Sequence, residues 1–531
     1  MLCRARQFIP AVARRVYWAT TAVVPACVNL TWTQSWTLPG AACHFQTASM
    51  PSIEQVFDEA TGALHTELFD QDIPVPCLVV PCRHLGVARK GLAQHLLTER
   101  NVLPIQPIPD GHPVLEHADV SQSSHKLLML SKTYVGQPIP EAVQAWVEAQ
   151  PLPILLSTRT LSLGWASMSA AEILRELIPS EVEVSTAFEA VGHIAHLNLI
   201  GDQLKYGKLI AAVILDKNPA LTMVVNKVGS IHAQYRTFDM EVLACKDPEP
   251  NFVVQLREQG CAFKFNYRSV YWNSRLNIEH ERVVKSIMPE IEYSTAPGKK
   301  RERNPPQLQA RHRQPLHVLD ACAGVGPFAL PLAKNGARVT ANDLNPESFK
   351  WLQENAEKNK LAGELLPLNG DARDCIRAEF AGERPTPAWP YASHVLMNLP
   401  ASALEFCDVF ADLFSAELWR APANEAERHV HELGPAAGPG EKHVVPRVHC
   451  YCFSQHHEHD EAIADVTERL CKVLRVDTGA EVQLDVRPVR DVGPNKIMCV
   501  AQFSPPVRAV AGSASATAAA PAATPADEAE R

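Results

Sequence analysis

Short apolar runs separated by amphipathic stretches dominate the chain from residue 315 to residue 504. Four of these runs have the length and composition of buried strands: 317–319, 338–341, 365–368 and 394–397. The stretch 346–361, after the second run, places apolar residues at helical spacing on one face. Because buried strands alternate with helices, the pattern predicts a doubly wound, Rossmann-like α/β domain with a parallel sheet.

Polar residues follow the carboxyl ends of these predicted strands. The first strand ends at Asp320 and runs into a turn that contains Gly324 and Gly326, and the second ends at Asp343. Glycine lets the backbone approach a ligand closely, and an acid at the end of the second strand can bind ribose hydroxyls. The turn and the spaced acid together predict a nucleoside pocket.

The third and fourth predicted strands end at Asp371 and Asn398. We expect Asp371 to accept a hydrogen bond from an adenine amino group, and Asn398 to lie beside the reacting centre of the substrate. The residues predicted to bind the nucleoside cofactor are Asp320, Gly324, Gly326, Asp343, Leu344, Asp371, Ala372 and Asn398.

The glycine turn also limits the identity of the cofactor. A dinucleotide site usually has a third glycine where the pyrophosphate meets the helix terminus, whereas this chain has Phe328 and Ala329 there. The pattern Asp-x-x-x-Gly-x-Gly, followed by an acid after strand two, suits S-adenosylmethionine. We therefore expect a methyltransferase rather than a nicotinamide enzyme.

The remainder of the chain divides by composition. Residues 54–190 mix short strands with helical patterns and include a loop at 96–125 that resembles an insertion rich in Pro and His. Residues 191–295 are expected to form an α+β middle domain. The linker 296–314 is strongly basic, which suits either a phosphate contact or an ordinary solvated linker. Residues 505–531 lack the apolar surface to fold and are expected to be disordered.

The first 53 residues contain no Asp or Glu. Arginines are interleaved there with apolar and aromatic residues, which is typical of a mitochondrial presequence. Met50 lies just before the acids begin, so a shorter product could start there. We expect a form in the mitochondrial matrix together with cytoplasmic and nuclear pools.

Composition excludes several other classes of protein. A net charge of −9 over 531 residues argues against a protein coated with nucleic acid, although a local basic groove remains compatible with it. No apolar run approaches the roughly 20 residues that cross a bilayer. The 14 cysteines lack zinc-finger spacing and are expected to be reduced thiols. His193 and His196 have no nearby third ligand, so no metal site is expected.

Several motifs together resemble the tRNA guanine-37 N1-methyltransferases of eukaryotes and archaea. They are Ala-Gly-Val-Gly-Pro-Phe at 323–328, Asn-Asp-Leu-Asn-Pro at 342–346, Met-Asn-Leu-Pro at 397–400, and further matches at 191–199, 213–219, 225–227, 270–276, 279–282 and 490–496. The resemblance covers roughly residues 150–505. It implies methyl transfer from S-adenosylmethionine to N1 of the guanosine at position 37 of tRNA, by an enzyme that acts as a monomer.

The same resemblance assigns roles to residues outside the glycine-turn domain. It implies that Glu279 is the general base, Arg236 stabilises charge on the guanine O6, and His280 lines the cofactor pocket. Glu281 is a second candidate for the base, and Glu279 on spacing alone could be a surface helix acid. Residues 271–272 could stack on a flipped base or belong to the core.

Two other functions remain open from the sequence. One is a related enzyme of wybutosine synthesis, which moves a different group of the same cofactor. The other is a tRNA-binding protein without activity. The segments 96–125 and 420–445 depart from the family pattern, and we expect them to be flexible surface loops.

Overall fold

The computed structural model describes residues 51–228, 239–288, 316–381, 384–423, 442–493 and 495–509. Residues 1–50 of the predicted presequence, the basic linker and Arg236 lie outside these residues, as do 424–441 within the second insertion and 510–531 of the predicted tail. The described chain forms two compact units, residues 51–186 with Gly201–Lys217, and Ala187–Ile200 with residues 218–509. The predicted boundaries at 190 and 315 stay predictions.

The first unit is built on a four-stranded antiparallel sheet in the order β4-β5-β3-β6. Its strands and helices are α1 (Ile53–Val56), β1 (Phe57–Asp58), β2 (Ala63–Leu64), β3 (Gln71–Pro81), α2 (Leu85–Gly91), β4 (Ile105–Gln106), β5 (His125–Met129), α3 (Glu141–Glu148), β6 (Leu155–Leu163), α4 (Ala170–Leu177) and α5 (Gly207–Lys217). Helix α4 begins at a capping box, in which Ser169 and Glu172 bind each other's backbone N–H.

The prediction of a flexible loop at 96–125 was wrong. This segment contributes strand β4 to the sheet, and Leu97, Ile108 and Val114 are each no more than 3% exposed. They pack with Leu127 and Met129 of the central strand. The segment folds because its few apolar residues bury against the sheet, although its overall composition is polar.

A seven-stranded sheet in the order β15-β14-β13-β16-β20-β22-β21 organises the second unit. Its first five strands are parallel, whereas β22 is antiparallel to both of its neighbours. The elements of this region are β13 (His317–Asp320), α7 (Ala329–Lys334), β14 (Arg338–Asp343), α8 (Pro346–Lys358), β15 (Glu364–Asn369), α9 (Ala372–Ala381), β16 (His394–Met397), α10 (Ala403–Phe406), β17 (Phe414–Ser415), β18 (Trp419–Arg420), β19 (His443–Val444), β20 (Arg447–Ser454), α11 (His459–Leu474), β21 (Asp485–Gly493), β22 (Lys496–Phe503) and β23 (Val507–Arg508).

The predicted α/β architecture is confirmed. The four predicted strands correspond to β13, β14, β15 and β16, and the predicted helix after the second strand corresponds to α8. The first strand of the sheet in chain order, β13, lies third from one edge, between β14 and β16. The strand order therefore reverses direction beside β13, which is where a doubly wound sheet binds its ligand.

The segment before the large sheet contributes a second sheet and a hairpin. The sheet has the order β10-β9-β8-β7, and β11 pairs with β12. The bounds are β7 (Glu189–Val191), β8 (Ile194–Leu197), β9 (Met223–Val228), β10 (Asp239–Cys245), β11 (Val253–Glu258), β12 (Cys261–Asn266) and α6 (Asn277–Ile287).

Two buried asparagines attach this hairpin to the large sheet. Asn355 accepts a hydrogen bond from the N–H of Lys264 at 2.8 Å, and Asn359 bonds both backbone groups of Ala262 at 2.9 and 2.8 Å. Helix α8 thereby satisfies the free edge of β12, which would otherwise leave buried backbone groups without partners. The hairpin is held firmly against the helix that follows the glycine turn.

No helix among the described residues is both long and apolar enough to cross a membrane. The same part of the chain contains no group of three or more His, Cys, Asp or Glu side chains suited to a metal ion. His193 instead bonds the carbonyl of Asn251, and His196 bonds the hydroxyl of Tyr267. Burial lowers the pKa of His196, so its ring is neutral at physiological pH.

Candidate active site

The glycine turn and the acid of the second strand meet as the sequence predicts. The N–H of Gly324 donates to Oδ2 of Asp343 at 2.8 Å, and the N–H of Asn345 donates to Oδ1 at 2.9 Å. Asn342 adds a bond from its amide nitrogen to each of the carbonyls of Ala321 and Gly370, at 3.2 and 2.9 Å. These contacts bring the carboxyl ends of the first three parallel strands together at one edge of the sheet.

Asp320 is a buried carboxyl group without a matching partner. It is fully buried, and neither oxygen accepts a hydrogen bond of normal geometry from the described residues. Burial raises its pKa to about 8, the charge of Asp343 adds to the shift, and only the backbone N–H of Cys322 opposes it. Burial likewise raises the pKa of Asp343, against the N–H groups of Asn345 and Gly324. A buried acid beside a partly buried one favours a cationic ligand, because a positive charge stabilises both ionised forms.

S-adenosylmethionine fits the residues at this edge, since it carries positive charge, ribose hydroxyls and an adenine. Leu344, beside Asp343, is 42% exposed and offers an apolar contact for a base. Oδ1 of Asn398, after β16, is buried and accepts no hydrogen bond from the described residues. Orphaned buried acceptors of this kind mark a place where a ligand supplies the missing donor.

Asp371 has a structural role that the sequence did not predict, as a helix N-cap. Its Oδ1 accepts hydrogen bonds from the N–H groups of Arg373 and Asp374 at 2.8 and 3.4 Å. The side chain therefore caps helix α9, which starts at the buried Ala372. A second oxygen remains for the predicted adenine contact, which stays a prediction.

The two glycines of the turn have different physical roles. A Cβ on Gly324, at φ +54°, would meet nothing within 4 Å, so this position borders open space. A Cβ on Gly326, at φ +98°, would lie 2.8 Å from Leu352 Cδ1 and 2.9 Å from Leu330 Cγ. Gly326 is thus required by packing inside the domain, whereas Gly324 borders the space where the cofactor is predicted to lie.

We expect Gly326→Ala to lower the free energy of unfolding by about 2–4 kcal/mol, because it combines backbone strain with overpacking. Gly324→Ala is the matched control and should cost about 1–2 kcal/mol, from strain alone. Urea midpoints measured without cofactor would test this ranking. Equal midpoints for the two variants would contradict it.

The Glu279 carboxylate is surrounded by three donor residues, Arg282, Tyr451 and Arg487. Arg282 donates through Nε at 2.9 Å and Nη2 at 2.8 Å, one to each carboxylate oxygen. The hydroxyl of Tyr451 donates to Oε1 at 2.8 Å. Nη2 of Arg487 lies 2.7 Å from both oxygens. Glu279 itself is only 7% exposed, so the prediction of a surface acid on spacing alone does not hold.

These contacts set the protonation of Glu279. Burial acts to raise the pKa of the carboxyl, but the hydrogen bonds and charge of Arg282 and the hydrogen bonds from Arg487 and Tyr451 outweigh it. The pKa therefore lies below its usual value, and Glu279 is ionised at neutral pH. The pKa of the Tyr451 hydroxyl is shifted in the opposite direction. Burial is the larger cause and the charge of Glu279 the next, and both raise this pKa far above its usual value.

His280 connects this helix to the glycine turn. Its Nδ1 lies 2.7 Å from Oε1 of Glu258, and its ring packs edge-on against Phe328 with centroids 4.8 Å apart. Phe328 in turn stacks on Tyr451 at 6.0 Å. Nε2 of His280 is buried without a hydrogen bond to the described residues. The ring lies against the turn, and its place in the cofactor pocket stays a prediction.

The remaining predicted residues are distributed as follows. Arg236 lies outside the described residues, so its predicted role at O6 stays a prediction. Glu281 forms an ion pair with Lys285 at 2.5 Å, and its side chain is 30% exposed. Trp272 is buried against Phe263 and Phe265 and belongs to the core, whereas its neighbour Tyr271 is 40% exposed.

Sequence reasoning missed Tyr451, Arg487 and Glu258. Tyr451 lies between Cys450 and Cys452, and Arg487 lies just before the motif at 490–496. A Tyr flanked by apolar residues in a strand is a usable signal, because a buried hydroxyl needs a partner. No local pattern indicates that the partner is Glu279.

Comparison with known proteins agrees with this geometry. Residues 170–248 match the TYW2 N-terminal domain, and residues 288–417 match the TRM5/TYW2 methyltransferase domain. The tRNA (guanine(37)-N(1))-methyltransferase of Danio rerio is 37% identical over 452 residues, covering 83% of this chain and 81% of the relative. That of Phytophthora infestans is 34% identical over 450 residues, covering 83% of this chain and 92% of the relative.

Among solved structures, Trm5b from Pyrococcus abyssi is 20% identical, with 81% of this chain and 99% of that chain covered and a TM-score of 0.49. The family assignment rests on the two curated relatives, whose similarity extends over most of their own length. On that basis, and with the predicted motifs at the carboxyl edge of the sheet, the chain belongs to the tRNA (guanine(37)-N(1))-methyltransferase family.

Proposed function

We propose that this chain transfers the methyl group of S-adenosylmethionine to N1 of guanosine 37 in tRNA. The proposal is supported by one observation: the residues predicted to bind the cofactor and the predicted base lie in the same compact unit. Asp320, Asp343 and Asn398 lie at the carboxyl edge of the sheet, and the ionised Glu279 lies on the helix packed against the glycine turn. The family membership supplies the substrate.

Methyl transfer to N1 of guanine requires a different role from each of these residues. N1 of guanine carries a proton, so a base must remove it while charge develops on O6. We assign proton removal to Glu279 and stabilisation of O6 to Arg236. Asn398 orients the base, because its free carbonyl oxygen can accept from a guanine N–H. When bound, the cofactor supplies an electrophilic methyl group.

The target base lies in a stacked anticodon loop. To reach N1, the enzyme must extrude the base from the stack, which costs a few kcal/mol and is least costly in a single-stranded loop. We propose that the exposed Tyr271 contributes a stacking surface, since aromatic faces hold unstacked bases in this way. The enzyme is proposed to act as a monomer, which sedimentation of the purified protein would test.

An assay with two labels separates the possible reactions. Unmodified tRNA transcript is incubated with cofactor labelled in the methyl group or, separately, in the carboxyl group of its methionine part. We expect only methyl label, in N1-methylguanosine at position 37, and none with an adenosine-37 transcript. Carboxyl label in the tRNA would indicate the wybutosine-pathway alternative, and binding without label in either arm would indicate a tRNA-binding protein.

We propose that residues 1–53 direct import into the mitochondrial matrix and that initiation at Met50 yields a second pool in the cytoplasm and nucleus. The acid-free, arginine-bearing composition of this segment supports the proposal. A reporter fused to residues 1–53 should accumulate in mitochondria, and replacing Arg14 and Arg15 by Glu should abolish import. A diffuse signal from the unchanged fusion would overturn the import proposal.

A further inference from the structure

The Glu279 carboxylate is saturated with hydrogen bonds. A carboxylate offers about four lone-pair positions. Within 2.9 Å the two oxygens already make five contacts, two with Arg282, one with Tyr451 and two with Arg487. No acceptor position remains for the N1 proton of a guanine. A general base in this place can act only after one of its three partners has moved away.

The three partners differ in how firmly they are held. Tyr451 is 1% exposed and stacks on Phe328 inside the core. Arg282 is on the same helix as Glu279 and makes two parallel bonds, one to each oxygen, which is the strongest geometry available to a guanidinium. Movement of Tyr451 would disrupt the core, and movement of Arg282 would break a bidentate ion pair.

Arg487 is the least constrained of the three. It lies on β21, the edge strand of the sheet, and its side chain is 39% exposed. A single nitrogen, Nη2, is shared between both carboxylate oxygens, so one rotation of the side chain breaks both contacts. The other guanidinium bond is a long one of 3.3 Å, from Nη1 to the carbonyl of the neighbouring Pro488. Tyr451 pairs with Val500 and Val500 with Arg487, so both side chains lie on the same face of the sheet.

We propose that Arg487 is a releasable clamp on Glu279, and that binding of tRNA moves its guanidinium from the carboxylate to a backbone phosphate. This inference rests on the proposed role of Glu279 as the base. A half-buried guanidinium such as that of Arg487 can bind a phosphate as readily as a carboxylate, because both accept two parallel N–H bonds. Tyr451 and Arg282 then hold the freed carboxylate in place, with an acceptor position open towards the substrate.

The clamp has a purpose in the free enzyme. A buried, unclamped carboxylate would tend to take up a proton, since burial acts to raise its pKa. Arg487 adds to the larger effect of Arg282 in keeping the group ionised until substrate arrives. When Arg487 leaves, one of the influences that lower the pKa of Glu279 is lost, and the carboxylate becomes a stronger base at the moment of reaction.

The pH dependence of the kinetics tests this directly. The profile of kcat/KM reports ionisation in the free enzyme, and that of kcat reports ionisation in the substrate complex. For the unchanged protein we expect the acid limb of kcat/KM to lie at lower pH than the acid limb of kcat, because Glu279 is clamped only in the free enzyme. In Arg487→Gln the kcat/KM limb should move up to meet the kcat limb, with the kcat limb unchanged.

Two further variants make the result specific. Arg490→Gln removes a cation from the same strand that does not contact Glu279, so it should leave the separation of the two limbs intact. Arg487→Lys keeps the charge and should restore part of the separation. The salt dependence of the tRNA dissociation constant gives a second readout, and its logarithmic slope should fall by about 1 in Arg487→Gln, the loss of one phosphate contact.

The outcomes distinguish the clamp from the role of Glu279. Coincident acid limbs in the unchanged protein, or a separation that survives in Arg487→Gln, would overturn the clamp while leaving Glu279 as base. Full turnover in Glu279→Gln would remove the base itself. Thermal unfolding of Arg487→Gln checks that the fold is retained, which we expect because Arg282 and Tyr451 still satisfy Glu279.

Discussion

Glu279→Gln is expected to lower the turnover number by about 10²–10⁴-fold, the usual contribution of a positioned general base. The amide keeps the size of the side chain and one acceptor for Tyr451, but it cannot take the N1 proton. Affinity for tRNA should not fall, because the buried carboxylate is not a phosphate contact and its loss leaves Arg487 available to a phosphate. Single-turnover rates at saturating tRNA and cofactor would measure the chemical step.

Glu281→Gln is the matched control for that substitution. Glu281 is on the same helix, and its ion pair with Lys285 is at the protein surface. Surface pairs contribute little to stability, so turnover and unfolding temperature should both stay near those of the unchanged protein. A large loss of turnover in Glu281→Gln with none in Glu279→Gln would reverse the assignment of the base.

Asp320→Asn is expected to weaken binding of S-adenosylmethionine by about 10–100-fold at pH 8.5, since a hydrogen bond to a charged group contributes about 1.5–3 kcal/mol. The pKa of Asp320 in the free protein is about 8, and a bound cation favours the ionised form. Binding therefore releases a proton below that pH. Affinity of the unchanged protein should rise as the pH is raised from 6 towards 8 and then level off.

Calorimetric dissociation constants between pH 6 and 9 test this expectation. In Asp320→Asn most of the dependence should disappear, leaving a smaller part from Asp343, whose pKa burial also raises. Asp374→Asn is the control, because Asp374 is an exposed acid of helix α9 paired with Arg377. An unchanged pH dependence in Asp320→Asn would show that another group accounts for the linkage.

The stability of the cofactor-free protein should fall as the pH rises, whereas the affinity for the cofactor should increase. An acid whose pKa is raised on folding binds more protons in the folded state than in the unfolded state. Asp320 therefore makes stability fall as the pH rises from about 4 to 8, by up to about 1.4 kcal/mol per pH unit. Asp320→Asn should flatten this dependence and raise the unfolding temperature at pH 8.

Much of the cofactor edge was predictable from sequence because its signals are local. Strand β16 was predicted with the bounds it has in the structure, and the polar residues after each strand meet at one edge because parallel strands share a direction. The prediction for the segment 96–125 was wrong because its fold depends on contacts that are distant in sequence. Its average composition is polar, and only the contacts of Leu97, Ile108 and Val114 with a distant strand bury it.

The sequence by itself determined the fold class, the cofactor edge around Asp343 and the family, since these depend on periodicity and on motifs of neighbouring residues. Only the tertiary structure decided the state of Glu279. Its partners Tyr451 and Arg487 are 172 and 208 residues away along the chain, and they reach it because strand register places them on one face of the sheet. The protonation of the buried carboxylate depends on these distant donors together with Arg282 of the same helix, because in a water-poor interior its nearest neighbours replace the solvent.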